Sequence, residues 1–384
     1  MNKVYIAGIG QTAVGEHWDR SLANLSAQAL LAALHEAGDP AVSALYAGNL
    51  LASSASKQSN IGALIASNAG LTGVETFTAE AGEASGAAAL RMGYLAVRSG
   101  YARTALVVGV EKVTDMVGGG IDNVIAHSTD YDFEAMSGIT STTLAGLLMA
   151  RYMGQYDMPA DGLGALPVMA HANAVHNPNA IFRRAISMDA YRKAGMVSDP
   201  LNMFDAAPYA DGAAAILLTS DPAVACASGK ALVEIRASAG AVDTLALHDR
   251  PDPLMFSAVT ASTQKALALA GMVLQDMQIY EVWDAFSIYA VLSIEANGLA
   301  ARGDGWRWVA DNKDMALVTM GGNKARGLPL GAAGLYQAVE AAMQLRDEAG
   351  ENQVEGAEHA IIQAMGGPAA NVITHILSRS ASTY

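Results

Sequence analysis

Cysteine is almost absent from this chain of 384 residues. The one that occurs, Cys226, excludes an internal disulfide and a cysteine-built zinc site. Charge is sparse too. Asp, Glu, Lys and Arg make up 16% of the residues, and 37 acidic against 23 basic side chains leave a net charge of −14, which would repel a nucleic acid or an anionic membrane at long range. No run approaches the length needed to span a bilayer, and the N-terminus opens directly into KVYIAGIG, without a basic segment and apolar stretch ahead of it. A soluble, cytoplasmic protein is expected. An anionic ligand would need a local basic patch, and the one dense cluster is Arg183, Arg184, Arg192 and Lys193 in AIFRRAISMDAYRKAG. What the chain has in quantity is apolar surface, 52% of its residues, together with 38 glycines. That describes a compact protein, with part of the apolar excess covering a subunit interface.

Residues 4–9 read as a buried strand ending at Gly8 and Gly10, followed by a loop and an amphipathic helix over residues 21–37. Gly8-x-Gly10-x-x-Ala13 fits a loose dinucleotide fingerprint, which requires a helix directly after the glycines and an acidic residue at the end of the next strand. Residues 14–17 interrupt the first, and the strand over 44–50 ends in Gly48-Asn49-Leu50 without the second, so no nucleotide site is expected. A helix over 61–69 leads to residues 76–100, TFTAEAGEASGAAALRMGYLAVRSG, around which the chain is organised. There an acidic approach, Glu80-Ala81-Gly82-Glu83, turns into a helix with small residues along its first turns, so something must sit close to the helix start. The first turn of a helix offers unpaired N–H groups and a partial positive charge, and Glu83 stands at its entry.

A strand over 104–110 follows. Residues 114–201 then change character: they hold Gly118-Gly119-Gly120, most methionines and aromatics of this half and the basic cluster, and read as a mostly helical insertion. After it the pattern repeats. The helix over 258–270 with Gly271, then IYEVWDAF, echoes the first helix, Gly38 and the strand over 42–50; LGAAGL with its helix to Leu345 echoes residues 84–97; HAIIQAMGG echoes TALVVGVEK. A duplicated α/β pattern implies two doubly wound halves, residues 1–250 and 251–384, with reactive groups at helix starts and loops between them.

Residues 80–86 resemble the nucleophile motif of the thiolases, in particular the archaeal and sterol-carrier-protein-type branch, whose run reads close to E-A-A-C-A-S-G-G. The resemblance covers essentially the whole chain: GIGQTAVGEHWDRS, ALYAGN, HANAVHNPNA, Asp199-Pro200-Leu201, Asp211-Gly212-Ala213, Asp284-Ala285-Phe286, Lys324-Ala325-Arg326-Gly327 and Gly366-Gly367 all read like that family. It implies a thiolase fold of two duplicated α-β-α halves in five layers with an inserted loop domain. It also implies coenzyme A or an acyl-CoA as ligand, and a homodimer through the first domain, with a dimer of dimers as alternative. In that branch a small partner with a zinc ribbon and an oligonucleotide-binding-type fold is common.

Thiolases transfer acyl groups through a cysteine thiolate, an activating histidine, an α-proton base and oxyanion donors. Aligned on the motifs, the cysteine falls on Glu83, the His or Asn before Asp-Ala-Phe on Trp283, and the His of Gly-His-Pro on Leu328. The C-terminal glycine motif, where many members carry a second cysteine, reads Ala364-Met365-Gly366-Gly367-Pro368. Loss of thiol, imidazole and oxyanion donor together predicts no ordinary thiolysis. Ala225-Cys226-Ala227-Ser228-Gly229 spells the cysteine motif better but falls in a surface connection between two strands.

Glu83 then reads either as a carboxylate capping the helix or as a general base whose pKa burial raises. His171 either anchors the insertion or lines the pantetheine channel, and His127 and Tyr131 lie in the insertion within reach of the pocket. By the resemblance, Arg183, Arg184, Arg192 and Lys193 would meet the nucleotide end of coenzyme A, arginine binding phosphate through two donors. Gly321, Gly322 and Gly327 mark close backbone approach in the pocket, or tight turns. No metal site is expected. Two functions remain open: a degenerate thiolase-like subunit that keeps acyl-CoA binding, or an acyl-CoA C–C bond enzyme (a retro-aldolase, a decarboxylase or a divergent acyltransferase) that uses Glu83 in place of cysteine.

Overall fold

The computed structural model describes residues 1–116 and 120–380, so Gly118 and Gly119 of the expected glycine run lie outside it. The strands are β1 (Tyr5–Gln11), β2 (Ala44–Gly48), β3 (Glu75–Ala79), β4 (Thr104–Glu111), a short hairpin of β5 (Met196–Ser198) and β6 (Leu201–Asn202), β7 (Gly212–Thr219), β8 (Val233–Val242), β9 (Ile279–Glu281), β10 (Ala316–Leu317), β11 (His359–Gly366) and β12 (Asn371–Arg379). Ten of them form one sheet in the order β10-β9-β11-β12-β8-β1-β7-β4-β2-β3.

Counted outward from the middle, the first half runs β1-β7-β4-β2-β3 and the second β8-β12-β11-β9-β10. In each half the first two pairings are antiparallel and the last two parallel. The duplication expected from the sequence is therefore present strand for strand. β1 and β8 join the halves antiparallel. β8, VEIRASAGAV, pairs with β12 of the second half although it lies ahead of residue 250.

Each half has an outer helix. Leu22–Glu36, capped by the Ser21 side chain, lays Leu25, Leu30 and Ala33 on Leu45, Leu106 and Leu217. Ser257–Ala270 sets Ala266 among Tyr280, Ile361 and Ile376. A Cβ on Gly8 or Gly10 would overlap the carbonyls of Ala33 and Ala29, so these glycines admit the helix to the strand and leave no room for a pyrophosphate. Between the two sheet halves lie the helices Ser85–Ser99 and Ala333–Leu345, whose Leu90, Tyr94, Val97, Leu335 and Val339 meet Ile216, Ile235 and Ile362 from both halves. Helix, strand, helix pair, strand, helix gives the five layers. The insertion between β4 and β7 is mainly helical, with Ser141–Tyr156 and Ala165–Ala174 its longest helices.

The small residues seen in the sequence have their cause in the middle layer. A Cβ on Gly86 would lie 2.7 Å from the Gly331 carbonyl oxygen, and one on Gly334 would lie 3.0 Å from the Cβ of Ala87. What sits close to the start of the first central helix is the start of the second.

Candidate functional site

The loop ahead of helix Ser85–Ser99 is pinned by local bonds. Ser85 Oγ accepts from the Ala81 N–H at 3.0 Å and donates to the Gly82 carbonyl at 2.5 Å. Gly82 has φ +61, and Gly82 and Gly366 press backbone to backbone: a Cβ on Gly82 would be 3.0 Å from Gly366 Cα, and one on Gly366 would be 2.5 Å from the Ala81 oxygen. Only glycine fits at either place.

Glu83 is buried, at 7% exposure, but it does not cap the helix: the cap position, Ala84, makes no side-chain cap bond. Its Oε2 instead accepts from the Gly367 N–H at 2.8 Å, across to the second half. Burial raises the Glu83 pKa, against the pull of the Gly367 amide and of its own amide, with Glu80 adding to the rise. The capping expectation is thus replaced by a cross-half bond.

Two phenols that the sequence reading did not single out share this environment. Tyr289 is buried, with its ring edge-on to Phe286 at 5.1 Å and Phe256 at 5.8 Å, and its hydroxyl has no partner among the described residues. Burial, then the charge of Glu83, pushes its pKa well up. Tyr209 is raised by burial and by Asp122 and Glu83, and its hydroxyl bonds the Thr142 side chain. Tyr289 lies three residues beyond Asp284-Ala285-Phe286 and Tyr209 two before Asp211, so both stand beside motifs already noted. No residue pattern marks them as neighbours of Glu83.

Trp283 and Leu328 are buried in one apolar cluster with Met365 and Phe286. Leu328 holds the strand of Tyr209 through backbone bonds to Pro208 and Ala210. Both positions supply packing and neither carries a base. From the insertion, the Ser128 carbonyl oxygen comes to 3.9 Å from where a Gly367 Cβ would be, while His127 and Tyr131 face each other edge-on at 5.8 Å.

His171 is stacked on Phe182 at 5.8 Å and edge-on to Phe204, with Nδ1 3.3 Å from the Arg184 carbonyl oxygen; burial lowers its pKa, which fits an anchor of the insertion. Arg183 and Arg184 are exposed and follow directly on residues 181–182, whose N–H groups bond the Arg326 and Ala325 carbonyls of the loop leading to Leu328. Arg192 sits on a separate short helix, bound to Asp161 at 2.8 Å and Asp189 at 3.4 Å, with Lys193 exposed beside it. The four basic residues therefore divide into two pairs.

Gly321 (φ +102) packs on helix Ala165–Ala174, where a Cβ would stand 2.6 Å from that of Ala174, and Gly322 (φ +54) on the Asp284 carboxylate. Cys226 ends a one-turn helix against Tyr5 and Leu232, a half-buried free thiol. Among the described residues no group of three His, Cys, Asp or Glu side chains is placed to hold a metal ion. A cavity of about 480 Å³ between helices Ala165–Ala174 and Gly305–Asp311 shares no lining residue with the Glu83 site.

The fold is duplicated and five-layered, with a carboxylate where a helix start meets a glycine turn of the other half. The thiolase N-terminal domain matches residues 4–222 and the thiolase C-terminal domain-like family residues 239–379. The chain belongs to the thiolase family. It is 38% identical to an acetyl-CoA acetyltransferase of Methanothermobacter thermautotrophicus over 99% of this chain and 100% of that protein. It is 28% identical to the sterol carrier protein 2 of Bos taurus, over 97% of this chain and 72% of that protein. Among solved structures, an Ltp2-ChsH2(DUF35) aldolase superposes with a TM-score of 0.84 at 22% identity, covering 100% of this chain and 99% of that one.

Proposed function

We propose that this thiolase-family protein binds coenzyme A or an acyl-CoA thioester and lacks cysteine-dependent acetyl-CoA C-acyltransferase activity, working as a degenerate subunit of a thiolase-type complex. The observation that carries this is the Glu83 carboxylate at the nucleophile position, bonded to the Gly367 amide with packing side chains at 283 and 328. Attack by the Glu83 carboxylate on a thioester would form a mixed anhydride and expel the CoA thiolate, and neither Trp283 nor Leu328 offers an acid to protonate that thiolate. Thiolysis of acetoacetyl-CoA by the purified protein should be undetectable; turnover that disappears in Glu83→Ala would overturn the reading. Binding is tested by calorimetric titration with coenzyme A and a panel of acyl-CoAs. Arg183 and Arg184, beside the loop of Leu328, are the residues we assign to the nucleotide phosphates.

One observation favours a second reading. Glu83 is a buried carboxyl with a raised pKa, suited to take a proton from an acyl-CoA in C–C bond cleavage. A fold neighbour is an aldolase. Release of an aldehyde or ketone from a β-hydroxyacyl-CoA, lost in Glu83→Gln, would decide for it.

For assembly we propose a homodimer through the edge strand β3, where Phe77 is 55% exposed, and a small partner of the kind that the DUF35 component represents in the neighbouring complex.

A further inference from the structure

We propose that two adjoining cavities beside helix Ala165–Ala174 form one binding site for a zwitterionic single-chain amphiphile. The first cavity takes the alkyl chain, the second an ammonium group, and Lys313 between them the anionic group that links the two. The first cavity shares no lining residue with the Glu83 site, so binding here is tested apart from the chemistry assigned to Glu83.

The helix has two apolar faces. Leu166, Pro167, Ala170 and Ala174 are buried against the protein, yet Ala165, Val168, Met169 and Ala172 on the opposite side are apolar as well and stand half-buried or exposed. A helix apolar all round is normally enclosed all round. Here the second face forms one wall of the cavity of about 480 Å³, and Trp306 and Ala310 of helix Gly305–Asp311 form the other. Aliphatic, thioether and indole walls suit an alkyl chain, and the volume falls within the ~300–1,000 Å³ of small-molecule sites. The carboxylate in this lining, Asp161, is already paired with Arg192 at 2.8 Å.

The second cavity, of about 450 Å³, adjoins the first through Ala172, Asn173 and Lys313, which line both. Its character is opposite. Asp314, Glu351 and Lys313 are exposed on its walls, and their side chains make no hydrogen bond or ion pair among the described residues. The neutral amides are already engaged: Asn173 donates to the Leu317 and Val318 carbonyls, and Asn352 to those of Asn173 and Thr319. What is left for a ligand is one ammonium at the junction and two carboxylates beyond it. That order of charge complements a chain followed by an anion and then a cation. A simple carboxylate head would meet Asp314 and Glu351, and a simple ammonium head would meet Lys313. An alkylphosphocholine presents the three parts in the order the cavities require.

Calorimetric titration of the full chain with decylphosphocholine, decanoate and decyltrimethylammonium, each kept below micelle formation, tests this. Decylphosphocholine should bind saturably and about tenfold more tightly than either singly charged amphiphile. Val168→Trp, which fills the first cavity from its wall, should abolish binding of all three. The fluorescence change on titration should be lost in Trp306→Phe, since Trp306 is the indole that the chain meets. No saturable binding, equal affinity for the three head groups, or affinities untouched by Val168→Trp would overturn the proposal.

Two exposed positions cover the case in which the filled cavity does not fold. Lys313→Glu should weaken decylphosphocholine about tenfold and leave decyltrimethylammonium bound at least as well, and Glu351→Lys should shift the preference toward decanoate. A head-group preference that neither variant alters would sink the assignment.

Discussion

The two halves meet twice in the same way, and the two meetings differ. In one, Glu83 before the first central helix reaches the Gly367 amide just past β11. In the other, Glu111 at the end of β4, the equivalent of β11, reaches the Gly331 amide before the second central helix at 3.0 Å. Both crossings carry a carboxylate-to-amide bond with the carboxylate in the first half and the amide in the second; the carboxylate stands at the helix start in one and at the strand end in the other. Glu111 is fully enclosed and takes four donors: the Asn49 side chain and the amides of Leu50, Leu51 and Gly331. Glu83 receives one amide from the other half, that of Gly367. A carboxylate with four buried donors is a fastener; Glu83, with its cross-half donor, is the group we assign to the site.

The largest expected effect breaks this comparison directly. Glu111→Ala leaves the amides of Leu50, Leu51 and Gly331 without this acceptor and should cost about 3 kcal/mol or more, while Glu83→Ala should cost about 1–2 kcal/mol. Equal losses in urea unfolding would show that both are fasteners.

The pH dependence sharpens it. Burial outweighs the donors and raises Glu111 from 4.5 to about 7. Between those values the folded state holds the extra proton, so the stability this group contributes is present below pH 4.5 and lost as pH rises through about 7. Glu111→Gln should flatten that decline. His375, lowered by burial and then by Arg91 from 6.5 to about 3, works the other way: its contribution is complete above pH 6.5 and lost as pH falls toward 3, and His375→Leu should flatten the acid limb. An unchanged pH profile in either variant would contradict these assignments.

The two edges of the sheet offer a third test. At β10 the Asn173 side chain donates to the Leu317 and Val318 carbonyls at 3.1 Å and blocks further pairing, whereas β3 exposes Phe77 at the other end. Phe77→Asp should convert a dimer to monomer in sedimentation analysis; a dimer that persists would place the interface elsewhere. The smallest effect concerns the two basic pairs. Arg183→Ala or Arg184→Ala should weaken coenzyme A binding about tenfold, roughly 1.4 kcal/mol. Arg192→Ala should change it less than about twofold, since Arg192 is already engaged by two aspartates. A reversed order would reassign the phosphate contacts.

The sequence by itself determined the architecture. Local patterning repeats with the same strand and helix order, so the doubly wound halves were legible. The residues at positions 83, 283 and 328 are read directly from the sequence. The surface setting of Cys226 could be read from its flanking strands. Tertiary structure decided what Glu83 does. Its partner Gly367 is 284 residues away, and a contact across that separation leaves no periodic or local trace in either segment. The same holds for Tyr209 and Tyr289, brought to Glu83 by different elements, and for the pairing of β8 with β12. Helix and strand periodicities report which face of an element is buried; which side chain from the other half it meets there is fixed only when the layers close.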